Sequence, residues 1–255
     1  MDHSQCEFFR YFTDGRSPQI ADRFAGGFLS MRAAQYCDAV TLASGFGWWL
    51  YCPVDCTVVW DGQSIIWSLD GENFRAVDDT AHFPGFPDRW NETAPDDLAD
   101  LCPAFLTALP EPGLLQVSLG LFARTAPGWM LALRRPANFP LPGPIEHFDG
   151  IVDTSAWMGP LFINLRLTKT DVPIRLRADM PLVQAQPLPL TLLASGPWPP
   201  VNLEPGPAEW DAYHRSVAEP YSRPTRAFGA YATDERRRRK ASGCPVAVVD
   251  QPPGN

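Results

Sequence analysis

The stretch that most limits what this chain can become is residues 150–189, GIVDTSAWMGPLFINLRLTKTDVPIRLRADMPLVQAQPLP. Apolar and polar residues alternate over 161–167, the signature of a strand with one buried face, and a charged step at 169–173 precedes a second extended run over 174–188. This pattern predicts a long antiparallel hairpin with a charged tip. A second hairpin is signalled by Asp61-Gly62, an Asp-Gly step between apolar runs, which should fold Ile65-Ile66-Trp67 back onto Thr57-Val58-Val59-Trp60.

The composition points the same way. With 28 Pro and 9 Trp in 255 residues and only 20% charged residues, short strands joined by rigid turns are favoured over long helices. The length suffices for a single domain with a substantial core. A net charge of −8 argues against nucleic acid or an anionic membrane as partner, because both are held by neutralising phosphate. No window approaches 18 consecutive apolar residues, so no transmembrane helix is expected. The basic run at 236–240 reads as a solvated helix end, with a binding patch as the alternative.

Six cysteines are scattered over a chain that shows no apolar leader in its first twelve residues, so they are expected to be thiols in a cytoplasmic protein. Cys52 and Cys56 have the parity of one strand face and no further CxxC or HxxxH partner, which favours two small core residues over zinc ligands. No metal and no cofactor is expected; the alternative, a two-His-one-carboxylate iron site, would need His82 and His147 to converge with Asp153.

Along the chain, Phe8-Phe9-Arg10-Tyr11-Phe12 reads as an edge strand. Residues 22–36 have helical spacing at Phe24, Phe28 and Met31, weakened by Gly26-Gly27. Strands are expected at 47–52 and 56–60, then again at 114–121 and 129–133. The interval 69–112 loosens into prolines and acids and reads as an insertion, with a short helix in 94–109 capped by Thr93 or Asp96. Residues 134–144 form a proline-stiffened loop. Beyond a proline-rich exit at 196–207, Trp210, Tyr213 and Val217 mark an amphipathic helix that resumes over 225–240, followed by a frayed end.

Two resemblances join these pieces. The turn from Gly150 to Gly159, with Asp153 and Trp157, resembles the Gly-x-Ile-Asp-x-x-Tyr-x-Gly turn of the dUTPase-like β-clip fold. Ser44 to Tyr51 is similar to that family's opening strand, and Ala123 to Trp129 to its middle strands. Over nearly its whole length the chain also resembles an uncharacterised bacterial family known only as a domain of unknown function, through Gly47-Trp48, Cys52-Pro53, Pro127-Gly128-Trp129, Arg134, Pro136, Asn138, Gly150-Ile151-Val152 and Asn164. The β-clip resemblance implies a mainly β barrel, with its core over 40–68 and 113–190, the insertion at 69–112 and a helical extension over 206–240. It also implies that Asp153 holds a nucleotide and positions or deprotonates water. Trp49, however, stands where the family's first acid would be, and no Ser-Gly phosphate cradle follows, so pyrophosphate hydrolysis of dUTP is not expected.

Candidate chemistry gathers around Asp153. Trp157 offers a face for stacking, and Arg124, Arg134 and Arg135 could neutralise a carboxylate or phosphate. His147 is the nearest candidate acid or base. Equally, Asp153 could only bond turn amides, and the arginines could be rim charges. Two functions remain open. One is a metal-independent pocket for a small planar or anionic molecule, even an enzyme of specialised metabolism, walled by Trp49, Trp129 and Trp157 and anchored by Arg134, Asn138, Asp153 and Asn164. The other is a non-enzymatic interaction protein, with a homo-oligomer compatible with its aromatic surplus. A divergent nucleotide-processing hydrolase is a third reading.

Overall fold

The computed structural model describes residues 6–77, 80–140, 142–196 and 199–222, with isolated positions at 233–234, 237–238 and 241. In chain order the strands are β1 (Cys6–Arg10), β2 (Gln19–Ile20), β3 (Trp48–Tyr51), β4 (Cys56–Trp60) and β5 (Ile65–Ser68). Next come β6 (Arg75–Ala76), β7 (Thr80–Ala81), β8 (Leu106–Ala108), β9 (Leu114–Thr125) and β10 (Trp129–Arg134). The last are β11 (Ile145–Phe148), β12 (Gly150–Val152), β13 (Pro160–Leu167), β14 (Ile174–Leu176) and β15 (Pro181–Pro189). The helices are α1 (Met31–Tyr36), α2 (Asp38–Gly45), α3 (Phe86–Thr93), α4 (Thr191–Ala194), α5 (Pro207–Tyr213) and α6 (Glu219–Ser222).

The fold is mainly β and antiparallel, and none of its sheets closes into a barrel. A six-stranded sheet runs β11-β13-β9-β8-β7, with β1 also on β9. A five-stranded sheet runs β12-β10-β15-β3-β2, and a four-stranded one runs β14-β4-β5-β6. The barrel expected from sequence is therefore replaced by three open sheets around one core that includes Leu50, Val58, Leu115, Leu133 and Leu165.

The Asp61-Gly62 hairpin forms as expected, with Trp60 opposite Ile65 and Thr57 opposite Ser68. Asp61 closes it by accepting from the amides of Gln63 and Ser64. The long hairpin over 161–188 does not form. Both edges of β13 are taken, by β11 and β9. The following turn is fastened elsewhere, with Asp171 N–H donating to Trp60 O and Thr168 N–H to Pro144 O. The chain is thereby handed to β4 for three residues as β14, and after a second turn to β10 and β3 as β15. One continuous extended run thus contributes a strand to each of the three sheets.

Strand β3, WWLY, sends Leu50 into the main core and Trp49 and Tyr51 to the opposite face, where Ala21, Ala25 and Phe139 form a second small core. Both faces are covered, which is why this strand reads as a solid apolar run and not as an alternation. The cover comes from Ala21, from the 3-10 turn that carries Ala25, and from Phe139 of the proline loop. The expected helix over 22–36 breaks at Gly26 and Gly27, both with positive φ, into a 3-10 turn and α1. The eight-residue α2 then follows, unforeseen from the sequence.

Residues 69–112 are woven into the fold more deeply than an insertion would be. They supply β7 and β8 to the six-stranded sheet and bury Phe83, Phe86 and Phe105, with Phe83 stacked between Phe12 and Phe105. Their α-helix is α3, upstream of the expected 94–109, where Pro87 suits a helix's first turn, and 94–109 itself holds only a 3-10 turn at Asp96–Leu98. Thr93 sits at its end, its hydroxyl donating to Arg89 O, and does not cap a following helix. In the C-terminal extension, α5 starts as Glu209 accepts from the Gly206 amide, and none of its residues is buried. The expected helix over 225–240 falls largely, and Cys244 entirely, outside the described residues. Cys6, Cys37, Cys52, Cys56 and Cys102 are thiols, and Cys52 and Cys56 are core residues. Among the described residues no helix is long and apolar enough to cross a membrane.

Candidate functional site

The residues singled out around Asp153 divide between two ends of one strand. Leu133 of β10 lies opposite Gly150 of β12, and Leu131 opposite Val152. Asp153 therefore falls near Met130 and Trp129, four residues from Arg134, or about 13 Å at the rise of a strand. At the Asp153 end, its carboxylate accepts from the Ser155 amide at 3.1 Å and hydroxyl at 2.6 Å. Those bonds hold its pKa below the usual carboxylate range. Trp157 is exposed, its ring lying over Gly159, where a Cβ would come within 2.1 Å of it. Trp129 is half-buried, its carbonyl accepting from Thr125 Oγ1.

Other members of the set are tied into structure. Arg124 pairs with Glu7, its cross-strand neighbour, and lies over the Phe9 ring. Asn164 accepts from Gln116 Nε2 across β13 and β9. Trp49 is buried edge-on against Phe139. Asn138 adopts φ 59 and donates through Nδ2 to Val40 O and Ser44 Oγ, fastening the proline loop to α2. Arg134, at the exposed end of β10, faces Gln184 in register.

His147 lies opposite Leu165 on β13, and neither ring nitrogen has a hydrogen-bond partner within the protein. Burial pulls its pKa down to about 4, the Arg135 charge acts in the same direction, and Asp149 opposes them. An unfolded chain takes up this proton near pH 6.5, so the neutral form favours the fold fully above that pH. The contribution is lost as pH falls from about 6.5 toward 4 and amounts to about 2–3 kcal/mol after allowing for partial exposure. His147→Phe should flatten that limb of the stability profile in urea titrations at pH 7.5 and 4.5. An unchanged slope would remove His147 from the acid response. Among the described residues no group of three or more His, Cys, Asp or Glu could hold a metal ion, so His82, His147 and Asp153 do not converge on one.

A concave site does form beside the proline loop. Gln184, buried in β15, accepts from Ala137 N–H, while Arg135 Nη2 donates to Phe139 O. With the Asn138 bonds, these fix residues 135–139 and raise Phe139, Pro140 and Pro142 as a lip. Across from it, the β14–β15 turn supplies Leu176, Met180 and Leu182 to a groove of about 250 Å³. Arg175 and Arg177 also line it, on either side of Leu176 in sequence.

The charges behind the groove are ordered. Asp55 accepts from the Ala178 amide at 2.7 Å and from Arg175 Nη2 at 2.8 Å, the backbone bond being the larger cause of its lowered pKa. Asp179 takes both Nε and Nη2 of Arg177 in a fork. Arg16 donates to Asp179 O and Gln19 Oε1 and lies 4.6 Å over the Tyr51 ring. Among the described residues no Asp or Glu lines the groove itself.

Of the residues marked in the sequence, Phe139 and its proline neighbours reach this groove through the loop that carries them, and Trp49 stands one layer behind Phe139. Arg134, Asp153, Trp157, Asn164, Trp129, Arg124 and His147 do not line it. Gln184, Arg175 and Arg177 were not singled out, although each left a signal: an amide directly after the apolar Leu182-Val183, and two arginines at strand spacing. Comparison with protein-family models and with curated proteins finds no match to this chain.

Proposed function

We propose that the protein binds a small planar or anionic molecule, and that the molecule sits in the groove between the proline loop and the β14–β15 turn. The observation carrying this reading is the pairing of an apolar floor with two arginines at its rim, a few polar groups converging on an otherwise apolar concavity. Arg175 is about two-thirds exposed and Arg177 about half, and both keep unused donors, so they can receive a ligand without first breaking a buried network. A place for the three sheets within the β-clip group belongs to the same proposal and rests on the 150–159 turn. So does a cytoplasmic setting, which the thiols of Cys52 and Cys56 in the core favour.

The test is a saturation-transfer NMR screen of small aromatic and heterocyclic acids and neutral analogues against the full chain, repeated on Met180→Trp. Met180 is only partly buried, so the larger ring should project into the groove. Signals present with the natural chain should fall at least tenfold in the variant, while the melting temperature stays within about 3 °C, as expected for a change at a partly exposed site. Hits that bind the variant equally well would move the site elsewhere.

A further inference from the structure

We infer that the ligand of this groove is a monocarboxylate with a flat apolar body, captured by Arg177 as Asp179 gives way. This rests on the groove being the binding site, and it narrows the ligand by charge and size. Three cations, Arg16, Arg175 and Arg177, stand with two anions, Asp55 and Asp179, around the turn. The balance leaves one positive charge, enough for one negative group. A phosphate dianion would overcompensate it and face both aspartates.

The two aspartates are held differently. Asp55 is anchored to backbone through Ala178 as well as to Arg175, so it cannot leave without undoing the turn. Among the described residues the Asp179 carboxylate has Arg177, two residues away, as its only side-chain hydrogen-bond partner, and both side chains are about half exposed. An exposed pair of this kind is weak, so an incoming carboxylate can replace it with the same bidentate geometry. Arg175 adds free donors beside it. The body of the ligand then lies on Phe139, Leu176 and Met180. A volume of about 250 Å³ exceeds the roughly 150 Å³ that takes a single benzene ring, so it suits a one- or two-ring body.

Three probes of equal body separate the alternatives: 2-naphthoate, 2-naphthyl phosphate and 2-naphthylmethanol, titrated into the full chain and followed by the Met180 methyl signal and by calorimetry. The carboxylate should bind at least tenfold more tightly than the alcohol and more tightly than the phosphate. Arg177→Met should weaken it at least tenfold, and Asp179→Asn should tighten it several-fold by freeing the fork. Melting curves confirm that each variant folds. Equal or tighter binding of the phosphate or alcohol, or indifference to both substitutions, overturns the carboxylate assignment and leaves the groove as a binding site. If none of the three moves the Met180 signal, the groove reading itself falls.

Discussion

Gln184→Met should lower the melting temperature by about 10 °C while leaving the side-chain volume nearly unchanged. Gln184 is fully buried. Its Nε2 serves the carbonyls of Ala43 at 3.0 Å, Ser44 at 3.1 Å and Phe46 at 2.7 Å, and its Oε1 receives the Ala137 amide at 2.8 Å. Two of those carbonyls belong to the last turn of α2, where helical partners have run out, and the amide belongs to the proline loop. A thioether offers neither donor nor useful acceptor. Each buried polar group left dry costs about 1–3 kcal/mol, and with partial rehydration of the helix end the sum is about 4 kcal/mol. For a chain of this size that corresponds to roughly 10 °C.

Gln184→Glu provides the control, because it places a carboxylate against three carbonyl oxygens. Its burial would raise that group's pKa, so the variant should be weakest at neutral pH and should regain stability as pH falls and the acid protonates. Calorimetry of the three proteins at pH 5 and pH 8 checks both expectations. A Met variant that melts with the natural chain would mean that α2 and the loop are held by their apolar contacts alone. The same substitution should weaken groove binding, since the lip that carries Phe139 would no longer be fastened to β15.

Local grammar was legible and partner choice was not. Asp61-Gly62 specifies its hairpin because turn and strands lie within a dozen residues, and β13 announces itself through Leu161, Ile163, Leu165 and Leu167 on one face. Nothing between Thr168 and Pro173 reveals that β14 will leave β13, since that outcome depends on β11 and β9 already occupying both its edges. Helix α2, DAVTLASG, carries β-branched residues and a terminal glycine, so its propensity is weak and its existence follows from tertiary bonds such as those of Gln184. The site divides in the same manner. The proline loop stood out through its own composition, but the arginines opposite it come from β14 and the turn after it, and Asp55, which fixes that turn, from another loop.

Gly47→Ala should be the most damaging single-methyl substitution in the five-stranded sheet. Gly47 has φ +94 at the entrance to β3, and its carbonyl accepts the Ala21 amide at 3.0 Å. A Cβ there would lie 2.0 Å from Ala185 O and 3.1 Å from Gln186 Cα. Both atoms are backbone of β15, so no rotamer change can relieve the contact, and β3 would have to part from the strand it pairs with. Gly128 separates this effect from backbone strain. Its φ is +82, yet a Cβ there meets nothing within 4 Å, so Gly128→Ala should cost only the left-handed penalty of about 1–2 kcal/mol. Gly47→Ala adds the overlap to the same penalty and should exceed about 4 kcal/mol, a size reserved for disrupted cores and backbone conflicts. Chemical denaturation of both variants, or recovery of Gly47→Ala only in the insoluble fraction, measures the difference. Equal losses at the two positions would show that β15 can yield at Ala185, and that the close approach of β3 to it is not what demands glycine.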